Sequence, residues 1–152
     1  MPCLEHLVQV RTVYEGIRSA GGDVLVVTQA KPASLEAWIA RQGHPFPVVG
    51  DPDKAGYRLY AMQRASLLTL MRPDVIWGYL KIMARGRLPG VPAADADLHQ
   101  LGGNFVLDAS GRVTYAFRSR EPTDRPAPEV LLAEVRRAAA QSPATSATGA
   151  AP

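Results

Sequence analysis

The single cysteine of this chain, Cys3, stands in the stretch PCLEHL, one residue after a proline and three before His6. The thiolate is the reactive form of cysteine, and it is stabilised near a helix N-terminus, where unpaired backbone N–H groups carry partial positive charge. Pro2 suits a first helical turn, because its missing N–H has no helical partner to lose there. His6 follows one turn later, close enough on a helix to bear on the ionisation of the thiol. A competing reading makes Cys3 a small hydrophobe near a fraying end, since free cysteines are among the most often buried residues. Arg118 and Arg120, which close a β-rich run, are candidate cations for a thiolate; solvated surface arginines are the alternative. His44 and His99 stand alone in loop-like contexts without ligand spacing, so no metal site is expected. Dinucleotide and phosphate-loop glycine patterns do not occur, and no cofactor is expected.

Composition narrows the classes further. With 152 residues and 47% hydrophobic content, one domain with a real core is expected over residues 1–140. Seventeen basic and 14 acidic residues are scattered without a basic block, and the formal net charge is +3, which gives no footprint for nucleic acid. One cysteine excludes an intrachain disulfide and a multi-thiolate metal site. A free thiol fits a reducing compartment, so a cytoplasmic location is expected. No apolar run reaches about 18 residues, and the opening lacks the layout of a secretory signal, so no membrane partner is expected.

The elements that must position these residues are legible in the periodicity. Leu4, Leu7, Val8, Val10, Tyr14 and Ile17 recur at helical intervals and predict an amphipathic helix over 4–18, stopped by AGG at 20–22. DVLVVT at 23–28 predicts a buried strand, and KPASLEAWIARQG a helix over about 34–42, with Ser34 as N-cap and Gly43 as stop. HPFPVV is extended, GDPD turns, and a helix carrying Ala55, Leu59 and Met62 begins near Asp53. Residues 64–83 read as helices divided by Pro73, apolar on several sides, and RLPGVPAADAD as a loop. Core packing, a dimer face and a pocket for an apolar substrate are the readings open for that stretch. GNFVLDASGRVTYAFRS predicts a hairpin around DASG, with 23–28, 104–108 and 112–118 in one sheet. APEVLLAEVRRAAA is a last amphipathic helix, and 141–152 reads as a disordered tail. The alternation calls for an α/β domain with a mostly parallel sheet covered by helices on both faces.

Three segments in this order resemble the peroxiredoxin-like branch of the thioredoxin-like superfamily, the alkyl hydroperoxide reductase and thiol-specific antioxidant (AhpC/TSA) type. PCLEHLVQVRTVYEGI followed by GGDVLVVT resembles the redox helix and the strand after it. PFPVVGDPDKAGYRLYAM is similar to the extended stretch, Asp-Pro turn and helix, and GGNFVLDASGRVTYAFRS to the closing hairpin. The resemblance covers about residues 2–138 and implies a thioredoxin-like mixed sheet flanked by helices. It also implies a central strand before the redox helix, which this chain lacks, and a Cys-x-x-Cys pair of which Cys3 is the second member. The first would fall one residue before Met1, as a misplaced start codon would produce. A peroxide site of this family also uses a loop before the cysteine that is absent here, so thiol–disulfide exchange is the simpler chemistry.

Two functions follow. One is a thiol–disulfide redox protein of antioxidant type working through Cys3, with His6 and Arg118 beside it. Its partners would be a thiol reductant or a disulfide substrate protein, with a homodimer as a further candidate assembly. The other is a non-catalytic interaction domain that keeps the scaffold and has lost the chemistry.

Overall fold

The computed structural model describes residues 2–31, 35, 36, 39, 40, 43, 45–66, 69, 71–84, 97 and 99–141, with backbone alone for 2–4, 74, 79 and 82. The elements are α1 (Pro2–Ser19), β1 (Val26–Thr28), β2 (Val48–Gly50), α2 (Ala55–Leu59), α3 (Pro73–Ala84), β3 (Gly103–Leu107), β4 (Val113–Arg118) and α4 (Pro128–Gln141). Residues 35, 36, 39 and 40 are also helical, and Gly43 N–H closes that segment on the Ile39 carbonyl at 3.2 Å. Ser34, Trp38, His44, the loop at 85–96 and the tail beyond Gln141 lie outside the described residues. Among the described residues no helix is long and apolar enough to cross a membrane.

The first helix runs where its periodicity predicts, and its end has a definite geometry. Gly21 takes φ +80°, Gly22 N–H bonds to the Ile17 carbonyl at 3.0 Å, and Gly21 N–H to the Arg18 carbonyl at 2.9 Å. This is a Schellman close, which needs a residue free to enter the left-handed region. The buried stripe of α1 is His6, Val10 and Ile17, while Val8, an expected member, is 39% exposed. A polar ring thus occupies a core position.

The hairpin forms as expected. Val106 pairs with Tyr115 in an antiparallel ladder, with a register shift after Val106. Asp108 organises the turn: its Oδ1 accepts from the backbone of Ser110 at 2.9 Å and of Arg112 at 3.1 Å. Gly111, at φ +82°, donates to the Asp108 carbonyl at 2.9 Å, giving a tight turn with glycine in the left-handed position.

The expectation of one sheet is corrected. Among the described residues β1 pairs in parallel with β2, β3 pairs with β4, and these are two separate two-stranded sheets. No described strand joins the free edge of β1 to that of β3, so Val26 and Val106 belong to different ladders. Helix packing connects them instead. Val10 of α1, Phe46 and Leu131 of α4 form a buried cluster, with Val26 of one sheet and Tyr115 of the other packed against it.

Asp51, in the Asp-Pro turn, holds the start of α2 by accepting from the backbone N–H of Ala55 and Gly56, each at 2.8 Å. The same helix ends in a second Schellman pattern, Met62 N–H to Tyr57 O at 2.9 Å and Ala61 N–H to Arg58 O at 3.0 Å. Here a non-glycine residue, Ala61 at φ +51°, sits in the left-handed position. Asp97 accepts from Lys54 Nζ at 2.5 Å and Arg64 Nη1 at 2.7 Å, tying this region to the approach to β3. The Lys54 hydrogen bond, with Arg64 and the His99 N–H, lowers the Asp97 carboxyl to about 2. Helix α3 buries Val75 completely but leaves Ile76, Trp77, Leu80 and Met83 between 43% and 59% exposed, so core packing accounts for only part of its apolar character.

Two stability outcomes follow from this packing. Leu131→Ala should cost about 2–5 kcal/mol by opening the cluster that joins the sheets, whereas Leu59→Ala, at a site 80% exposed, should stay within about 0.5 kcal/mol. Urea unfolding midpoints of the two variants check this. Ala61→Gly should raise stability by about 1 kcal/mol, because glycine enters the left-handed region without the Cβ clash; an unchanged or lower melting temperature would contradict it.

Candidate active site

The N-terminal part of α1 lies against the start of β3, and the side chains meeting there are polar. His6 is 6% exposed, and the Asn104 amide nitrogen lies 3.0 Å from His6 Nε2. An amide N–H only donates, so Nε2 accepts and the imidazole proton belongs on Nδ1. Nδ1 is buried and has no hydrogen-bond partner among the described residues, and neither has Asn104 Oδ1. Burial, and then the Arg125 guanidinium, lower the His6 pKa to about 4. The ring is therefore neutral near pH 7, a donor and not a cation.

Arg125 is held from the stretch between β4 and α4. Its Nη1 donates to Ser119 Oγ and, at 2.7 Å, to the Asp124 carbonyl. Ser119 is fully buried, with its own N–H on the Gly102 carbonyl at 3.0 Å. The guanidinium also lies over Gly102, since a Cβ built there would stand 3.4 Å from Arg125 Nη2. A positive charge, a neutral imidazole and an amide thus converge near the first turns of α1. Together with the positive end of the helix dipole, they favour an anion such as a thiolate.

The sequence-predicted residues divide. Cys3 is the second residue of α1, three positions before His6. Arg118 is not brought to them. Successive strand residues face opposite ways: Asn104 meets His6, while Phe105 on the other face lies under the Arg118 guanidinium at 5.2 Å. Arg118 Nε donates to the Tyr60 carbonyl at 2.7 Å, so its contacts hold the end of α2. Arg120 donates its backbone N–H to Asp124 at 2.9 Å and pairs with the same carboxylate at the surface. His99 bonds through Nδ1 to the Ala65 carbonyl at 3.0 Å. Sequence reasoning missed Asn104, Ser119 and Arg125. Asn104 had a signal, an amide at an inward position of an apolar strand; Arg125 had none.

A family model described as AhpC/TSA antioxidant enzyme matches residues 9–121. The chain belongs to that family. Family membership agrees with the mixed α/β architecture and with a thioredoxin-like fold class. Among curated proteins, this AhpC/TSA chain is similar to Peroxiredoxin-like 2C of Takifugu rubripes, 24% identical over 110 residues. The alignment covers 68% of this chain and 48% of the relative, so the chain spans about half the length of the curated relative it matches. The family match begins after Cys3 and His6 and ends before Arg125, while Asn104 and Arg118 fall inside it.

The neutral His6 makes acid stability a test of the site. Its folded pKa of about 4 lies below the ordinary 6.5, so the unfolded chain takes up the proton first as pH falls. Stability should drop between about pH 6.5 and 4, by on the order of 3 kcal/mol in total, and change no further through this group below pH 4. His6→Gln should lose most of that slope. Urea titrations of both proteins at pH 7.5 and 4.5 measure it, and identical slopes would contradict a buried neutral His6.

Proposed function

We propose that this chain is a thiol–disulfide oxidoreductase of antioxidant type, with Cys3 as the reacting thiol. The observation that carries the proposal is the start of α1 at Pro2, which puts Cys3 in the first turn of an 18-residue helix, directly before the polar cluster of His6, Asn104 and Arg125. Family membership supports it, and the interaction-domain alternative gains no comparable support. In the proposed reaction the Cys3 thiolate attacks one sulfur of a substrate disulfide. A mixed disulfide forms, and the other sulfur leaves as a thiolate that takes up a proton. One thiol of a dithiol reductant then attacks the Cys3 sulfur of the mixed disulfide and releases the second substrate thiol, and the other thiol of the reductant attacks the new mixed disulfide, which frees Cys3 as a thiol and closes a disulfide within the oxidised reductant. Such a cycle needs a reducing compartment, with a thiol donor and a disulfide-bearing protein as partners.

Titrating the alkylation rate of Cys3 against pH tests the thiol directly. The rate should reach half its plateau about one unit or more below the 8.5 of a free cysteine. Cys3→Ser should abolish both alkylation and reduction of a disulfide substrate by a dithiol donor. A thiol that alkylates only at high pH, or a serine variant that retains exchange activity, would overturn the proposal.

A further inference from the structure

We infer that α3 is a self-association face: its outward apolar stripe pairs with the same stripe of a second copy, antiparallel across a two-fold axis near Leu80. Nothing in this pairing depends on Cys3. The inner side of α3 is already seated. Val75 is fully buried, and Gly78 stands so close to the stretch after β4 that an added Cβ would lie 2.9 Å from Thr123 Cγ2. On the opposite side Ile76, Leu80 and Met83 recur at helical spacing with Trp77 beside them, and all four are between 43% and 59% exposed. Single exposed apolar residues are ordinary, whereas four on one stripe of a 12-residue helix form a continuous patch.

The occupant that fits this patch is a second copy of the chain. A two-fold pair asks for one face that complements itself. Antiparallel pairing centred near Leu80 sets Ile76 of one copy against Met83 of the other and Leu80 beside its own counterpart, so apolar groups meet apolar groups and opposite helix ends adjoin. Lys81, on the flank of the stripe, keeps its Nζ 5.8 Å from the centre of the Trp77 ring, so its charge stays at the rim. From their exposures, the four residues leave about 450 Å² per copy open to solvent, and pairing covers about 900 Å². Contacts along the flanks bring the total to the roughly 1,200 Å² of the smallest specific interfaces. An interface of that size gives a dissociation constant on the order of 10 µM, a dimer that forms and separates with concentration.

Sedimentation of the full chain from about 1 to 500 µM, with a reductant present so that Cys3 cannot link copies, should show a monomer giving way to a dimer at around 10 µM. Leu80→Glu should raise that midpoint at least about thirtyfold, because two carboxylates would meet at the axis. Leu59→Glu, at the 80% exposed position of α2, should leave it unchanged. Leu80→Cys in a Cys3→Ser background is a smaller change that reads the same face. A short bismaleimide should link its copies about tenfold more than those of Leu59→Cys in that background, since a residue near the two-fold axis meets its own counterpart. A chain still monomeric at the top of the concentration range overturns the inference, whatever else covers α3. So does a dimer that survives Leu80→Glu, or equal cross-linking at positions 59 and 80.

Discussion

The structure depends on the apolar cluster through which α1 and α4 pack together against both sheets. Neither two-stranded sheet is large enough to stand by itself, because two paired strands bury too little to be stable in water. Val10, Phe46 and Leu131 provide the common core, and Val26 and Tyr115 bring one strand of each sheet to it. Burial of apolar surface is non-directional, so this seam can join ladders that share no hydrogen bond. Helix α1 therefore supplies part of the common core as well as carrying the candidate thiol.

That double duty explains the polar cluster. The stripe that packs Val10 and Ile17 into the core continues toward the N-terminus, where an apolar residue would have been the simplest choice. His6 stands there instead, satisfied at one nitrogen by Asn104 and, among the described residues, unpartnered at the other. A buried polar group with half its hydrogen-bonding capacity unused is costly in a fold held by a small core. Arg125, anchored through the fully buried Ser119 and the Asp124 carbonyl, supplies the local positive charge while remaining tied to the scaffold.

The two arginines singled out on sequence grounds show how strand alternation assigns roles. Arg118 is at the end of the hairpin nearest the cluster, since it pairs with Gly103, yet its side chain belongs to the face that carries Phe105. There it hydrogen-bonds the Tyr60 carbonyl and helps close α2. A displacement of one residue along the strand separates the face that meets α1 from the face that meets α2.

Most local elements were legible along the chain, because their causes are local, although the strand expected over 23–28 is confined to Val26–Thr28 and leaves Val27 44% exposed. Helical spacing of Val10, Tyr14 and Ile17, the glycines at 21 and 22, and the Asp108 turn all act within a few residues of chain, and each formed where expected. Two of the three segments that carried the family resemblance lie in those same elements, so family and fold class were legible too. Tertiary structure alone decided the rest. Which ladder Val26 joins, that His6 is buried and Val8 is not, and that Asn104 and Arg125 meet a histidine about 100 positions away in the chain are set by packing between elements distant in the chain. Hydrogen-bonding partners and desolvation are properties of neighbours in space, and no spacing along the chain encodes them.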